Sequence, residues 1–278
     1  MRRKKNFRKK RRWRYQKQPD LPNLIKGKKM LKRLCLLLIA IPTTSYGFIL
    51  ENLEVGTCRL NPSGHVRDVN QSMDIGVDKD LHLSQDTCFT LSYSAENLPF
   101  IPDFRISYSK LHLHGSGPAS KDFQYKKLQV KEGDPISSKW DFENISLTFY
   151  YQPSNYFNND YFKSEIGITT MFVNSTFKVE DNKYGTRENE DIPAFIPTLH
   201  LYLEFQPTYY LGLFTDFDGL SFTEQKRKLF KTGIKYYINS QIYFSAGYNY
   251  EKIKIRDENS TDADLTTKGY FVQAGVLW

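Results

Sequence analysis

The last fourteen residues of the chain, 265–278, alternate with a period of two and end on an aromatic side chain. One face reads Tyr270, Val272, Ala274, Val276, Trp278; the other reads Gly269, Phe271, Gln273, Gly275, Leu277. Successive side chains of a strand point to opposite faces, so this spacing predicts a strand and argues against a helix. The same period recurs upstream: Ile242, Phe244, Ala246, Tyr248, Tyr250, then Leu199, Leu201, Leu203, Phe205, then Ile145, Leu147, Phe149, Tyr151. Ten strands are predicted, near 50–59, 86–95, 103–114, 140–151, 161–177, 194–206, 208–217, 227–238, 241–253 and 266–278.

Strand length and connection length narrow the fold further. A strand in a globular sandwich is usually about 5–6 residues, whereas a tilted membrane-spanning strand needs about 9–11. The gaps after the second, fourth, sixth and eighth strands are short: ENLPFIP, QPSNYFNND, a corner at Pro207, and Asn239-Ser240. The others, 60–85, 115–139, 178–193, 218–226 and 254–265, are longer and polar. An even strand count with short turns at one end and long loops at the other predicts an all-β fold, a closed antiparallel transmembrane β-barrel of ten strands. Lipid cannot hydrogen-bond a bare backbone, so a sheet spans only if it closes. Aromatic residues make up 15% of the chain, and Tyr93, Phe100, Phe104, Tyr151, Tyr156, Phe157, Tyr161, Tyr209 and Trp278 fall where the turn-side aromatic girdle would lie. No apolar run reaches the roughly 18 residues of a spanning helix, which excludes a multi-helix membrane protein.

The net charge of +8 averages two unlike pieces. Residues 1–33 hold sixteen basic residues and one acid, Asp20; residues 34–278 carry 23 basic residues against 30 acidic ones. Met30 begins MLKRLCLLLIAIPTTSYGF, with Lys32 and Arg33 as a positive n-region, Leu34–Ile41 as an apolar h-region, and Ser45 and Gly47 before a cut. That is a secretory leader. Expected boundaries are a basic extension over 1–29, a leader over 30–47 and a barrel over 48–278. Two origins of residues 1–29 stay open, an upstream mis-start and a long leader n-region. With the head removed the chain is acidic, so no nucleic-acid partner is expected of the mature form. Cys35 leaves with the leader and sits too early for a lipid anchor.

Cys58 and Cys88 remain, an even pair for an oxidising compartment. Pairing Leu53 with Tyr93 in the first hairpin places Cys58 opposite Cys88, within disulfide reach. A one-residue slip would separate them.

Turning the apolar faces to lipid turns Glu54, Arg105, Glu165, His200, Glu204, Asp216, Lys231, Lys235 and Glu251 into the lumen. Ten strands lie close to the roughly eight whose interior side chains can fill, so a mostly filled interior lined by paired charges is expected. His112 and His114 share a face, but no third ligand stands near them, so no metal is expected. Asp216 and Asp218, in TDFDG, read as an Asp-Gly turn, although an acidic pair beside a histidine would suit a barrel protease. No GxSxG, HExxH, P-loop or CxxC pair occurs, and no cofactor is expected.

A final aromatic preceded by apolar residues at every second place, here Tyr270, Val272, Ala274, Val276 and Trp278, resembles the assembly signal of Gram-negative outer-membrane barrels. The segment LENLEVGTCRLNPSGHV is similar to the barrel start of a family of small outer-membrane proteins of about this mature length. The resemblance covers residues 30–278 and is strongest at the two ends. It implies an outer-membrane location, export with cleavage near Gly47, and contact with outer-membrane lipid, lipopolysaccharide and the barrel-assembly machinery. It implies no reaction. The expected role is an integral, porin-like envelope protein without enzymatic activity, structural or passing small solutes slowly. The alternative is a barrel enzyme acting on lipid or protein at the cell surface.

Overall fold

Long alternating strands leave each edge unsatisfied until the last finds the first, and here it does. In a computed structural model, β13 (Thr261–Leu277) pairs with β1 (Leu50–Asp68) in one unbroken antiparallel register, from Asn52 opposite Leu277 to Asp68 opposite Thr261. The structure describes residues 50–278 apart from 72, 99–100, 157–160 and 257–260; the side chains of 86, 87 and 156 are also outside the description. The basic extension, the leader, Phe100, Phe157 and the side chain of Tyr156 therefore lie outside the described residues.

Between β1 and β13 the wall runs through β3 (Ser84–Glu96), β4 (Asp103–Pro118), β7 (Pro135–Tyr151), β8 (Phe162–Asp181), β9 (Thr186–Thr208), β10 (Leu211–Gly219), β11 (Lys226–Tyr237) and β12 (Ile242–Arg256), each antiparallel to its neighbour. That makes a closed ten-stranded barrel. Three short strands belong to the connections: β2 (Ile75–Gly76), β5 (Phe123–Tyr125) and β6 (Leu128–Val130).

The loop expected at 178–193 is largely strand. β8 and β9 run on as a paired ribbon, 20 and 23 residues long, to a four-residue turn at 182–185. Within the loop expected at 60–85, β1 likewise continues to Asp68. The reason is that water tolerates a paired ribbon as well as a loop, and the period of two survives there; only its polarity changes. The sixth turn is Tyr209-Tyr210, with Pro207 still inside β9.

That change of polarity organises the molecule. On β8, Ile166, Ile168 and Phe172 face outward, each about half exposed at 54, 51 and 51%. The next outward residues are Asn174, Thr176, Lys178 and Glu180. Inward, the order is reversed: Glu165 and Thr169 come first, then Met171, Val173, Phe177 and Val179, all buried. β7 switches at the same height, from outward Ile145, Phe149 and Tyr151 to outward Lys139, Asp141 and Glu143. Apolar-out becomes apolar-in along one strand. The outward apolar stretch of β8, residues 162–172, climbs about 25 Å at about 3.3 Å per residue and a tilt of about 40°. That matches the roughly 25 Å apolar band of a membrane barrel.

The polar-outside end encloses a hydrophobic core. Trp140, Phe142, Phe177, Ile192, Ile196, Ile253 and Leu265 from the wall pack against the β5–β6 hairpin, whose Phe123, Tyr125, Leu128 and Val130 are at most 4% exposed. Trp140 meets Phe142 at 4.8 Å and Phe177 at 5.4 Å between ring centroids; Tyr125 meets Phe177 edge-on at 5.2 Å. The interior expected to be lined by paired charges is so lined only in its lower half; the upper half is apolar. The β2 segment seals the side of this core through Asp80, which accepts hydrogen bonds from Gly76 N (2.6 Å) and Ser120 and an ion pair from Lys121 (3.0 Å). Burial alone would raise the Asp80 carboxyl, but these donors outweigh it and hold it below the usual aspartate range.

β1 and β3 stay paired from Leu50–Glu96 to Thr57–Phe89 and then part. Cys58 and Cys88 form a disulfide at that fork, with Cα atoms 5.3 Å apart, and Gln85 donates to Cys58 O just beside it at 2.6 Å. With a sequence separation of 30 between the cysteines, chain entropy gives the bond about 3.6 kcal/mol. Cys58→Ser should lower the urea stability of the folded barrel by about that amount and abolish a reductant-dependent gel shift of the unfolded chain. An unchanged urea midpoint would count against a bolting role.

Candidate functional site

Strand alternation alone gathers the charged residues into the lower half of the barrel. Glu165, on the inward face of β8, sits at the centre with 0% exposure. Arg105 of β4 reaches it at 2.8 Å, Lys163 at 3.3 Å and His200 Nε2 of β9 at 3.4 Å. Lys163 also pairs with Glu96 of β3 at 2.7 Å. On its other side His200 Nδ1 faces Asp218 Oδ1 of β10 at 2.9 Å and Asp216 at 3.5 Å. Asp218 binds Arg227 of β11, which pairs with Glu251 of β12 at 2.7 Å. One chain of ion pairs thus crosses the lumen from β3 to β12.

Below it lies a second set. Lys235 pairs with Glu204 at 3.1 Å and donates to Tyr202 Oη at 2.7 Å; Tyr237 Oη donates to Glu204 at 2.6 Å. Glu54 accepts from Tyr243 and, at 3.2 Å, from Ser92. Lys231 lies over the Phe271 ring at 4.3 Å and donates to Gln273 at 2.6 Å. Arg105 lies over Tyr150 at 5.3 Å and Tyr202 at 5.8 Å. Opposite charges and aromatic faces leave few of these groups unpaired, which is how a low-dielectric interior tolerates so many ions. Between this layer and the apolar core remains a cavity of about 70 Å³, lined among others by Cys58, Cys88, Phe142, Asn144 and Glu251.

The nine residues that the alternation assigns to the lumen point inward. Four equally central residues, Glu96, Lys163, Asp218 and Arg227, are absent from that set. Lys163, Asp218 and Arg227 share parity with Glu165, Asp216 and Lys231 on their own strands, so period two reaches them; Glu96, at the end of β3, has no member of the set on its strand. The Asp-Gly turn is corrected. Asp218 is within β10, opposite His200 and Leu229, because cross-strand pairing outweighs the turn preference of Asp. His112 and His114 lie on the outside of β4, where His112 pairs with Asp141 at 2.6 Å.

His200, Asp216 and Asp218 bring three ligand atoms within 4.8 Å of one another, a spacing that suits a metal ion. Their surroundings do not. Arg227 already occupies Asp218, and both imidazole nitrogens of His200 face carboxylates. A metal ligand needs a free imidazole lone pair. The cations of this layer instead supply the charge that balances the acids.

No protein-family model matches the chain, and no curated protein matches it. Among solved structures, the outer membrane protease OmpT from Escherichia coli is similar at 9% identity, covering 86% of this chain and 99% of that one, with a TM-score of 0.43. Ail, the attachment invasion locus protein of Yersinia pestis, is similar at 11% identity over 82% of this chain and 98% of its own, TM-score 0.36. The outer membrane protein OprG from Pseudomonas aeruginosa is similar at 10% over 83% and 95%, TM-score 0.38.

Proposed function

We propose that the protein is an integral outer-membrane barrel without enzymatic activity, a sealed envelope protein rather than an open pore. The observation that carries this is the polarity switch of its wall. The band of Ile166, Ile168, Phe172, Ile145, Phe149, Phe244 and Val272 is exposed and needs an apolar solvent; the wall beyond it is polar outside and packed inside. The start of β1, the end of β13, the end of β3, the start of β4 and the short turns at 209–210 and 238–241 sit at one end, which is the periplasmic end if the leader at 30–47 exports the chain. Outer-leaflet lipid and lipopolysaccharide then surround the upper rim, and β13 with the Trp278 that follows it is the segment the barrel-assembly machinery reads.

The interior supports a closed state. Two layers block the lumen: a cross-barrel ion chain at the level of the apolar band and a hydrophobic core above it. The enzyme reading draws on His200, Asp216 and Asp218, but these side chains are 2, 19 and 6% exposed beneath that core. A general base needs a free nitrogen within reach of substrate, and His200 has neither. In a planar bilayer the purified protein should give no stepwise conductance. Steady single-channel steps would overturn the sealed reading while leaving the membrane location intact.

A further inference from the structure

Just above the apolar band, the outer wall is electrostatically lopsided. Across β4 and β7, outward residues of opposite charge face each other: Lys110 pairs with Glu143 at 2.6 Å and His112 with Asp141 at 2.6 Å. Across β11 and β12 the pattern is the reverse. Lys226 stands directly opposite Lys254, and Lys228 directly opposite Lys252. Like charges placed across a strand pair destabilise it. On the next strands, Lys268 of β13 lies opposite Tyr250, and Arg59 of β1 opposite Tyr270.

The acid available does not cover this charge. Asp264 is shared by Lys252 at 3.1 Å and Lys254 at 2.9 Å. Burial would raise its carboxyl, but the two lysines outweigh that and hold it below the usual aspartate range. Lys226, Lys228, Lys268 and Arg59 have no ion-pair partner among the described residues. Among the described residues, six cations therefore face one carboxylate. They begin one outward position above Phe230, Tyr250 and Tyr270, the upper edge of the band on these strands.

We infer that Lys226, Lys228, Lys252, Lys254, Lys268 and Arg59 form a docking site for the phosphorylated headgroup of a glycolipid in the outer leaflet. The site rests on the membrane reading above. Its logic is height. A cation cluster stacked directly on an apolar surface fits a ligand that carries phosphate at one end and acyl chains at the other. The chains lie along Phe230, Phe244 and Val272; the phosphates accept charge-assisted hydrogen bonds from the lysines. The bound anion relieves the like-charge pairs, so the protein tolerates an arrangement that would otherwise weaken its own wall.

The test uses the full chain reconstituted into phosphatidylcholine nanodiscs, with bis-phosphorylated lipid A and its dephosphorylated form as probes. Binding is read by native mass spectrometry, and insertion by heat-modifiable migration of the same samples. The variant replaces Lys226, Lys228, Lys252 and Lys254 with Gln; the control replaces Lys110 and Lys139 with Gln. The phosphorylated probe should bind the native chain about tenfold or more tightly than the dephosphorylated one, the quadruple variant should lose that difference, and the control should keep it. Without lipid A, replacing only Lys226 and Lys228 with Gln should leave the chain at least as stable to urea as the native one, since it removes repulsion and leaves Asp264 its two lysines. Inserted protein that binds both probes equally, or a quadruple variant that still discriminates, overturns the site and leaves the membrane reading standing. Failure of the native chain to insert overturns both.

Discussion

Glu165→Leu should be the most damaging single change in the lower barrel, lowering stability by about 3–5 kcal/mol. Glu165 is the one carboxylate that Arg105, Lys163 and His200 all face. Leucine roughly fills its space but leaves Arg105 without its contacting carboxylate, while Lys163 keeps Glu96 and His200 keeps Asp218. Removing one partner of a buried ion pair costs far more than the pair itself contributes, because the remaining charge has lost its water and its counter-ion. The dependence is specific: Arg105→Met added to Glu165→Leu should recover part of the loss, with a coupling energy of about 1–3 kcal/mol. Urea unfolding followed by the heat-dependent gel shift measures both. A loss within about 0.5 kcal/mol, the range of an ordinary surface substitution, would mean the ion chain carries little of the stability assigned to it.

Trp140→Ala should cost a similar amount, about 3–5 kcal/mol, by a different mechanism. Trp140 is fully buried, packs on Phe142 and Phe177, and donates from Nε1 to Ser175 Oγ at 3.4 Å. The cavity left behind opens under the β5–β6 hairpin, so that hairpin should become the first site of proteolysis, while the ion chain below stays intact. A variant as resistant to protease over residues 119–134 as the native chain would show that the hairpin is held elsewhere.

The legible part of this fold is the part that a period of two can encode. Alternation gives parity, and parity places the nine lumen residues, from Glu54 to Glu251, on the inward face. Parity is compatible with the register of the first hairpin, in which Leu53 faces Tyr93, but does not by itself select that register. Alternation does not say which parity is inside. Letting apolar residues choose the outside is right for Ile145, Phe149 and Tyr151 and wrong for Trp140 and Phe142 on the same strand. The solvent changes along that strand from lipid to water, so the apolar face changes with it. The shift is present in the sequence as Lys139, Asp141 and Glu143 two residues apart, but such a stretch reads equally well as a polar loop. The β5–β6 hairpin is illegible for another reason. Its burial depends on contacts with β7, β8 and β9 far along the chain, and FQYKKLQV carries no local mark of being enclosed. Asp218 was lost to local propensity, since Asp-Gly favours a turn wherever no partner strand claims it.

The central claim is that β8 passes from lipid to water between Phe172 and Lys178. Single cysteines at Ile168 and Lys178, probed with a membrane-impermeant maleimide in sealed vesicles, test it most directly. Cys58 and Cys88, bonded to each other, stay silent. The account predicts rapid labelling of Lys178→Cys and none of Ile168→Cys until the protein is unfolded. Equal labelling of both in the native vesicle would put the whole outer face of β8 in water and contradict the account.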